Sequence, residues 1–234
     1  MPASPQLYYI TNRQAFPGDE PARQRQLLQK IADAAHAGVD YIQLREKDLP
    51  TRDLEALARE AVMIVREIQL KTRNTQNATA LLINSRTDVA LAVGATGVHL
   101  RSDDISPTEV RTILSDAALN PKIETGNFLI GSSCHSVAEV RRAAHDGASF
   151  VVLAPIFGKE APGKEAKNTQ PLSLDTLKAA CQGTLPVFAL GGVTLENAQL
   201  CLNAGARGIA GIRLFQENDL AETVHSLRMP SLSF

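Results

Sequence analysis

The stretch Asp40-Tyr41-Ile42-Gln43-Leu44-Arg45-Glu46-Lys47-Asp48 passes from an apolar run straight into charge. Arg45 and Lys47 are two residues apart, so on an extended segment both side chains leave on one side. Arginine grips oxyanions through a planar fork and lysine adds a mobile point charge, so the pair suits a phosphorylated ligand. A solvated turn is the plainer reading of the same residues. Gly191 and Gly192 offer a second anion site with Gly211, because glycines let backbone N–H groups approach a phosphate near a helix start. Asp103 and Asp104 are hard oxygen ligands suited to Mg2+ beside a diphosphate, or else the cap region of the next helix.

These residues gain meaning if one architecture brings them together. Eight short apolar runs alternate with helical patterns: Leu7–Thr11, Val39–Leu44, Ala80–Asn84, Gly97–Leu100, Phe128–Ser133, Phe150–Pro155, Pro186–Gly192 and Gly208–Ile212. Continuous apolar strands separated by helices imply a parallel sheet covered on both faces. Eight such units in 234 residues predict an α/β fold, a single (β/α)8 TIM barrel spanning residues 1–234. The segments "HAGVDYI", "AVGATGVHL", "HDGASFVVL" and "NAGARGIAGI" repeat one grammar, with Gly38, Gly94, Gly147 and Gly205 as left-handed helix caps before the next strand. Asn74–Ala80, Ser115–Asn127 and Gly158–Ser173 read as loops.

In a parallel barrel the C-terminal strand ends share one mouth. That mouth would collect Gln43, Arg45 and Lys47; Asn84 and Ser85; His99, Arg101, Asp103 and Asp104 after the fourth strand; Ser133 and His135; Lys159 and Lys164; Gly191 and Gly192; and Arg213. His36, His145 and His225 lie in helical patterns and receive no role.

Composition narrows the partners. The apolar fraction of 44% supports a sizeable core, and the net charge of −1 supplies no general field for nucleic acid or anionic membrane. No apolar run approaches the roughly 18 residues a membrane span needs, and no signal peptide is evident. The cysteines Cys134, Cys181 and Cys201 are odd in number and lack metal-ligand spacing, which points to reduced thiols and a cytoplasmic setting. The expected partners are phosphorylated small molecules, and a homo-oligomer stays open.

The motifs "YIQLREK", "LLINSRTDVALAVGATGVHL", "IGSSCHS", "FVVLAPIF" and "VFALGGVTLENAQLCLNAGARGIAGI" resemble, in order and spacing, the thiamine phosphate synthase and TenI-like superfamily, from about Leu7 to Phe215. The resemblance implies a transferase that joins hydroxymethylpyrimidine diphosphate to thiazole phosphate with release of diphosphate. It implies that Gln43 and Asn84 hold the pyrimidine, that Arg45, Lys47 and Ser133 grip the diphosphate, that Asp104 is a Mg2+ ligand, and that Gly192 meets the thiazole phosphate. Four departures stand out. Ser85 replaces an Asp that is the family's second metal ligand, and Arg101-Ser102-Asp103-Asp104 replaces Gly-Gln-x-Asp. The loop after the sixth strand lacks Thr-x-Thr-Lys, with Lys159 or Lys164 as substitutes. Arg213 stands where a Ser is expected near the phosphate. The alternatives are a TenI-like thiazole tautomerase working through His135, and a non-catalytic barrel that binds thiazole or thiamine phosphate.

Overall fold

A computed structural model describes residues 4–72, 78–115, 127–158 and 170–229 of the chain. Eight parallel strands close into a barrel in chain order. They are β1 (Gln6–Ile10), β2 (Tyr41–Leu44), β3 (Ala80–Asn84), β4 (Gly97–Leu100), β5 (Leu129–Cys134), β6 (Phe150–Leu153), β7 (Val187–Ala189) and β8 (Gly208–Gly211). Closure pairs β8 with β1, placing Tyr8 opposite Ala210. The helices are α1 (Glu20–Ala37), α2 (Thr51–Thr72), α3 (Thr87–Val93), α4 (Pro107–Ser115), α5 (Val137–His145), α6 (Leu174–Ala180), α7 (Ala198–Asn203), α8 (Arg213–Gln216) and α9 (Leu220–Arg228).

The expected strands all form, with shifted ends. Residues 39 and 40 precede β2, Thr11 lies beyond β1, β6 stops before Ala154 and β7 before Leu190, while β5 runs one residue further to Cys134. Just beyond β1, the Thr11 N–H still donates to the Gln43 carbonyl at 3.0 Å while its hydroxyl donates to Glu46 at 2.6 Å. Of the expected loops, residues 73–77 and 116–126 lie outside the described residues, as do 159–169 with Lys159 and Lys164.

Helical spacing accounts for the outer layer. Along α2, Leu54, Leu57, Ala58, Ala61, Val62, Val65 and Ile68 recur at three and four and are all buried. Asp19 caps α1 by accepting the Ala22 N–H at 2.9 Å, and Gly38 ends it at φ +83°. Gly94 caps α3 in the same way, but Asp146 and Ala204 are the caps of α5 and α7, with Gly147 and Gly205 following in the left-handed conformation.

Alternation along the strands separates two cores. Leu7, Tyr9, Ile42, Leu44 and Ile83 face the helices, whereas Tyr8, Ile10, Leu82, Phe150, Val152, Phe188 and Ala210 fill the barrel. Tyr8, Phe150 and Phe188 meet edge to face with ring centres 5.3–5.8 Å apart. Gly131 makes room in this layer: a Cβ there would lie 2.6 Å from both the His99 ring and the Phe150 ring. No helix among the described residues is long and apolar enough to cross a membrane.

Candidate active site

Above the aromatic plug the barrel interior turns polar. Gln43 donates from Nε2 to the Tyr8 hydroxyl at 3.0 Å, and that hydroxyl lies 3.1 Å from His99 Nδ1. His99 Nε2 lies 3.0 Å from Ser133 Oγ. Burial holds the Tyr8 phenol protonated, well above the usual tyrosine range, and pushes the His99 imidazole down to about 3, aided by the nearby Arg45 charge. A neutral imidazole has one donor nitrogen. The Tyr8 oxygen already accepts from Gln43, and Nδ1 is the acceptor within reach of the buried phenol hydrogen; with Nδ1 accepting, Nε2–H donates to Ser133. This buried chain ties β2 to β5 through β1 and β4, and leaves the Ser133 hydroxyl hydrogen for a ligand. Sequence reading had His99 within the fourth apolar run, Gly97–Leu100, yet grouped it with the residues that follow that strand. It lies inside β4 and is 2% exposed. The only sequence signal for this was alternation: His99 is the inward position between Val98 and Leu100.

The charged stretch after β2 is sorted by alternation. Glu46 and Asp48 turn to Arg13, which is 3% exposed. Arg13 Nη1 and Nη2 bind the two Asp48 oxygens at 2.7 Å each, Nη1 also meets Glu46 Oε2 at 3.2 Å, and Nε meets Glu20 at 2.6 Å. Glu46 further accepts the Thr11 hydroxyl and the Arg13 N–H, while Thr11 Oγ1 accepts the Arg45 N–H at 2.9 Å. Hydrogen bonds from Arg13 hold Asp48 well below the usual carboxylate range, whereas burial pushes Glu46 up against the same partners. With both carboxylates engaged, Arg45 and Lys47 have no carboxylate partner among the described residues. Burial lowers the Arg45 guanidinium, and burial followed by Arg45 and Arg101 lowers the Lys47 ammonium. Sequence reading missed Arg13, because it reaches its partners from another strand end.

On the neighbouring rim, Asn84 ends β3 and its Nδ2 donates to Ser85 Oγ at 3.0 Å. Ser85 has φ +63°, the one non-glycine in the left-handed region among the described residues. Asp104 Oδ2 accepts the Arg101 backbone N–H at 2.7 Å, and Oδ1 accepts Nε at 3.2 Å and Nη2 at 3.0 Å. Burial alone would raise Asp104, but hydrogen bonds from Arg101 and Ser85 hold it below the usual carboxylate range. Asp104 is not the helix cap. Ser106 and Glu109 form the reciprocal capping pair ahead of α4, with Ser106 N donating to Glu109 at 2.7 Å and Glu109 N to Ser106 Oγ at 3.3 Å.

The far side of the mouth carries the remaining candidates. His135 sits beyond β5, exposed, and its Nδ1 lies 2.7 Å from the Ala154 carbonyl. A carbonyl only accepts, so Nδ1 carries the proton and Nε2 is the acceptor. Gly191 (φ +94°) and Gly192 (φ +65°) are both left-handed, and a Cβ on either would strike the Pro155–Gly158 segment at 2.7 Å. The glycines thus serve packing as well as any phosphate. Asn197 fixes their turn, donating from Nδ2 to Gly192 O at 3.0 Å. Gly211 is buried at the end of β8 and Arg213 is exposed at the start of α8. Burial pushes the thiols of Cys134 and Cys201 up to about 12, so neither is a ready nucleophile.

The whole barrel has known relatives. It superposes on a thiamine phosphate pyrophosphorylase from Pyrococcus furiosus with a TM-score of 0.72 and 26% identity, over 95% of this chain and 93% of that one. The thiamine-phosphate synthase of Methanoculleus marisnigri is 39% identical over 83% of each chain, and that of Clostridium novyi is 35% identical over 91% of each. A family profile described as thiamine monophosphate synthase matches residues 7–215, a span that holds the barrel strands apart from Gln6 at the start of β1. The chain belongs to the thiamine monophosphate synthase family.

Proposed function

We propose that this chain transfers hydroxymethylpyrimidine from its diphosphate to the ring nitrogen of thiazole phosphate, giving thiamine phosphate and diphosphate. The observation that carries the reading is the β2 rim, where two cations without carboxylate partners stand beside Gln43. The names of its relatives support it. In this reading Gln43 and Asn84 orient the pyrimidine, and Arg45, Lys47 and the Ser133 hydroxyl bind the diphosphate. Gly191, Gly192, Gly211 and Arg213 receive the thiazole phosphate. Lys159 and Lys164 are further candidates for phosphate contact. The methylene–oxygen bond breaks with its electron pair leaving on the diphosphate, and the thiazole nitrogen supplies the pair for the new C–N bond. Arg45 and Lys47 stabilise charge where it grows, on the departing oxygens.

Thiamine-phosphate synthases are generally Mg2+-dependent. The apo residues here do not fit a resident ion. Asp104 is already tied to Arg101, Ser85 offers a neutral oxygen, and no group of three His, Cys, Asp or Glu side chains among the described residues could hold a metal. Arg45, Lys47 and Arg101 against Asp103 and Asp104 also leave this rim positive.

The tautomerase alternative has one observation in its favour, the acceptor Nε2 of His135 at the mouth. One assay separates the readings. Pyrimidine diphosphate, thiazole phosphate and Mg2+ are supplied first, and the thiazole carboxylate tautomer second. Thiamine phosphate formed with equivalent diphosphate is the expected outcome. Aromatisation of the tautomer without synthesis would favour His135 chemistry, and binding without turnover would leave a silent barrel.

A further inference from the structure

We infer that Arg101, anchored on Asp104, is a diphosphate-binding residue that brings to the β3–β4 rim positive charge of the kind a divalent cation would otherwise bring. The inference rests on the proposed transfer reaction and names a residue that reading does not use.

Three observations lead to it. The first is that Asp104 has a task other than capping, since Ser106 and Glu109 cap α4 themselves. Its two oxygens take one backbone and two side-chain N–H groups of Arg101, so backbone and guanidinium are fixed together. The second is the set of donors left over. A guanidinium has five N–H groups in a rigid fork. Nε and Nη2 are engaged with Asp104, and Nε also lies 3.4 Å from Asp103, while Nη1 has no partner among the described residues. The side chain is 45% exposed. The third is the company it keeps. Arg101 acts on both Arg45 and Lys47 as a like charge near enough to disfavour their protonated forms. Glu46 opposes this crowding at Arg45, and Asp103 and Asp104 oppose it at Lys47, but of the three cations Arg101 alone is in a salt bridge among the described residues. Such a cluster is relieved by a ligand with several negative charges, and a diphosphate has them.

Ser85 fits the same picture. It faces Asp104 with a hydroxyl, which adds no second carboxylate to compete for the guanidinium. In the Arg101–Asp104 pair the guanidinium is held by the carboxylate through Nε and Nη2, and Nη1 is the end left for a phosphate. In the transfer step Arg101 would stabilise the oxygen that receives the C–O electron pair, and it would give up no proton.

The test is calorimetric titration of inorganic diphosphate into the full chain, in EDTA and in Mg2+, for the parent, Arg101→Gln and Arg101→Lys. Melting temperatures check folding, and thiamine phosphate synthesis is followed in parallel. The expected result is parent binding in EDTA that Mg2+ changes less than threefold. Arg101→Gln should weaken binding tenfold or more in EDTA and recover in Mg2+, because Asp104 is then released to an ion. Arg101→Lys should fall between, having charge without the fork. Equal affinities for parent and Arg101→Gln in EDTA, or parent binding that requires Mg2+, would overturn the inference while leaving a synthase that makes thiamine phosphate. A parent that neither binds diphosphate nor makes thiamine phosphate under any of these conditions would overturn both.

Discussion

Two neighbouring parts of the mouth hold their charges in opposite ways. At the β1–β2 rim the arginine is buried, and three carboxylates converge on it: Glu46, Asp48 and Glu20. Arg45 and Lys47, the cations proposed to bind the diphosphate, are the ones left over. At the β3–β4 rim the arginine is the exposed partner: the mostly buried Asp104 hydrogen-bonds it, and the exposed Asp103 lies 3.4 Å from its Nε. The first arrangement fixes a loop and presents cations indirectly. The second uses the Asp104 carboxylate to fix the orientation of an exposed cation. The difference predicts where substitution costs stability and where it costs binding.

The largest effect is expected at Arg13. Arg13→Met leaves Glu46 buried without its cation, and breaking a buried pair in this way costs about 3–5 kcal/mol. Chemical denaturation should show that loss, and removing both members in Arg13→Met with Glu46→Gln should recover part of it. A loss under about 1 kcal/mol would mean that the network is surface decoration.

Next comes Arg45→Lys, which keeps the charge and loses the fork. Losing one charge-assisted hydrogen bond costs about 1.5–3 kcal/mol, roughly tenfold to over a hundredfold in binding. Steady-state kinetics with pyrimidine diphosphate should show it while the melting temperature stays put.

His99 gives a pH signature. Its pKa falls from 6.5 to about 3 on folding, so between these values the unfolded chain binds one more proton and stability drops as the solution is acidified. From pH 6.5 to 5 the loss attributable to this group is about 2 kcal/mol. The stability profile of His99→Gln should be flatter over that window. Identical slopes in the two proteins would contradict a neutral His99 between Tyr8 and Ser133.

The smallest stability effect is expected at the exposed rim. Asp104→Asn should change the folding free energy by less than about 1 kcal/mol, as for other part-exposed pairs, measured in the same denaturation series.

Sequence reading found the barrel because both faces of a parallel strand are buried, and each strand therefore stands out as an apolar run bounded by glycine-capped helices. It found Gln43, Arg45 and Lys47 because type and two-residue spacing put them at a strand end. Arg13 was not legible: Glu46 lies 33 residues away, and nothing local marks a contact between the ends of two strands. His99 lay in the fourth apolar run, but its buried role was not legible, since it depends on the glycine opposite it, Gly131, and on Tyr8. Asp104 was legible as an acid, but its partner was not, because an i, i+3 turn from Arg101 looks in sequence like any charged loop.

The central claim is that cations released by the Arg13 clamp hold the diphosphate during synthesis. The most direct measurement is the stoichiometry of diphosphate and thiamine phosphate formed by the purified chain and by Arg45→Ala. The account predicts one diphosphate per thiamine phosphate for the parent, and a fall of both products together by at least about tenfold in Arg45→Ala. Unimpaired synthesis in Arg45→Ala, or diphosphate release without thiamine phosphate in the parent, would contradict it.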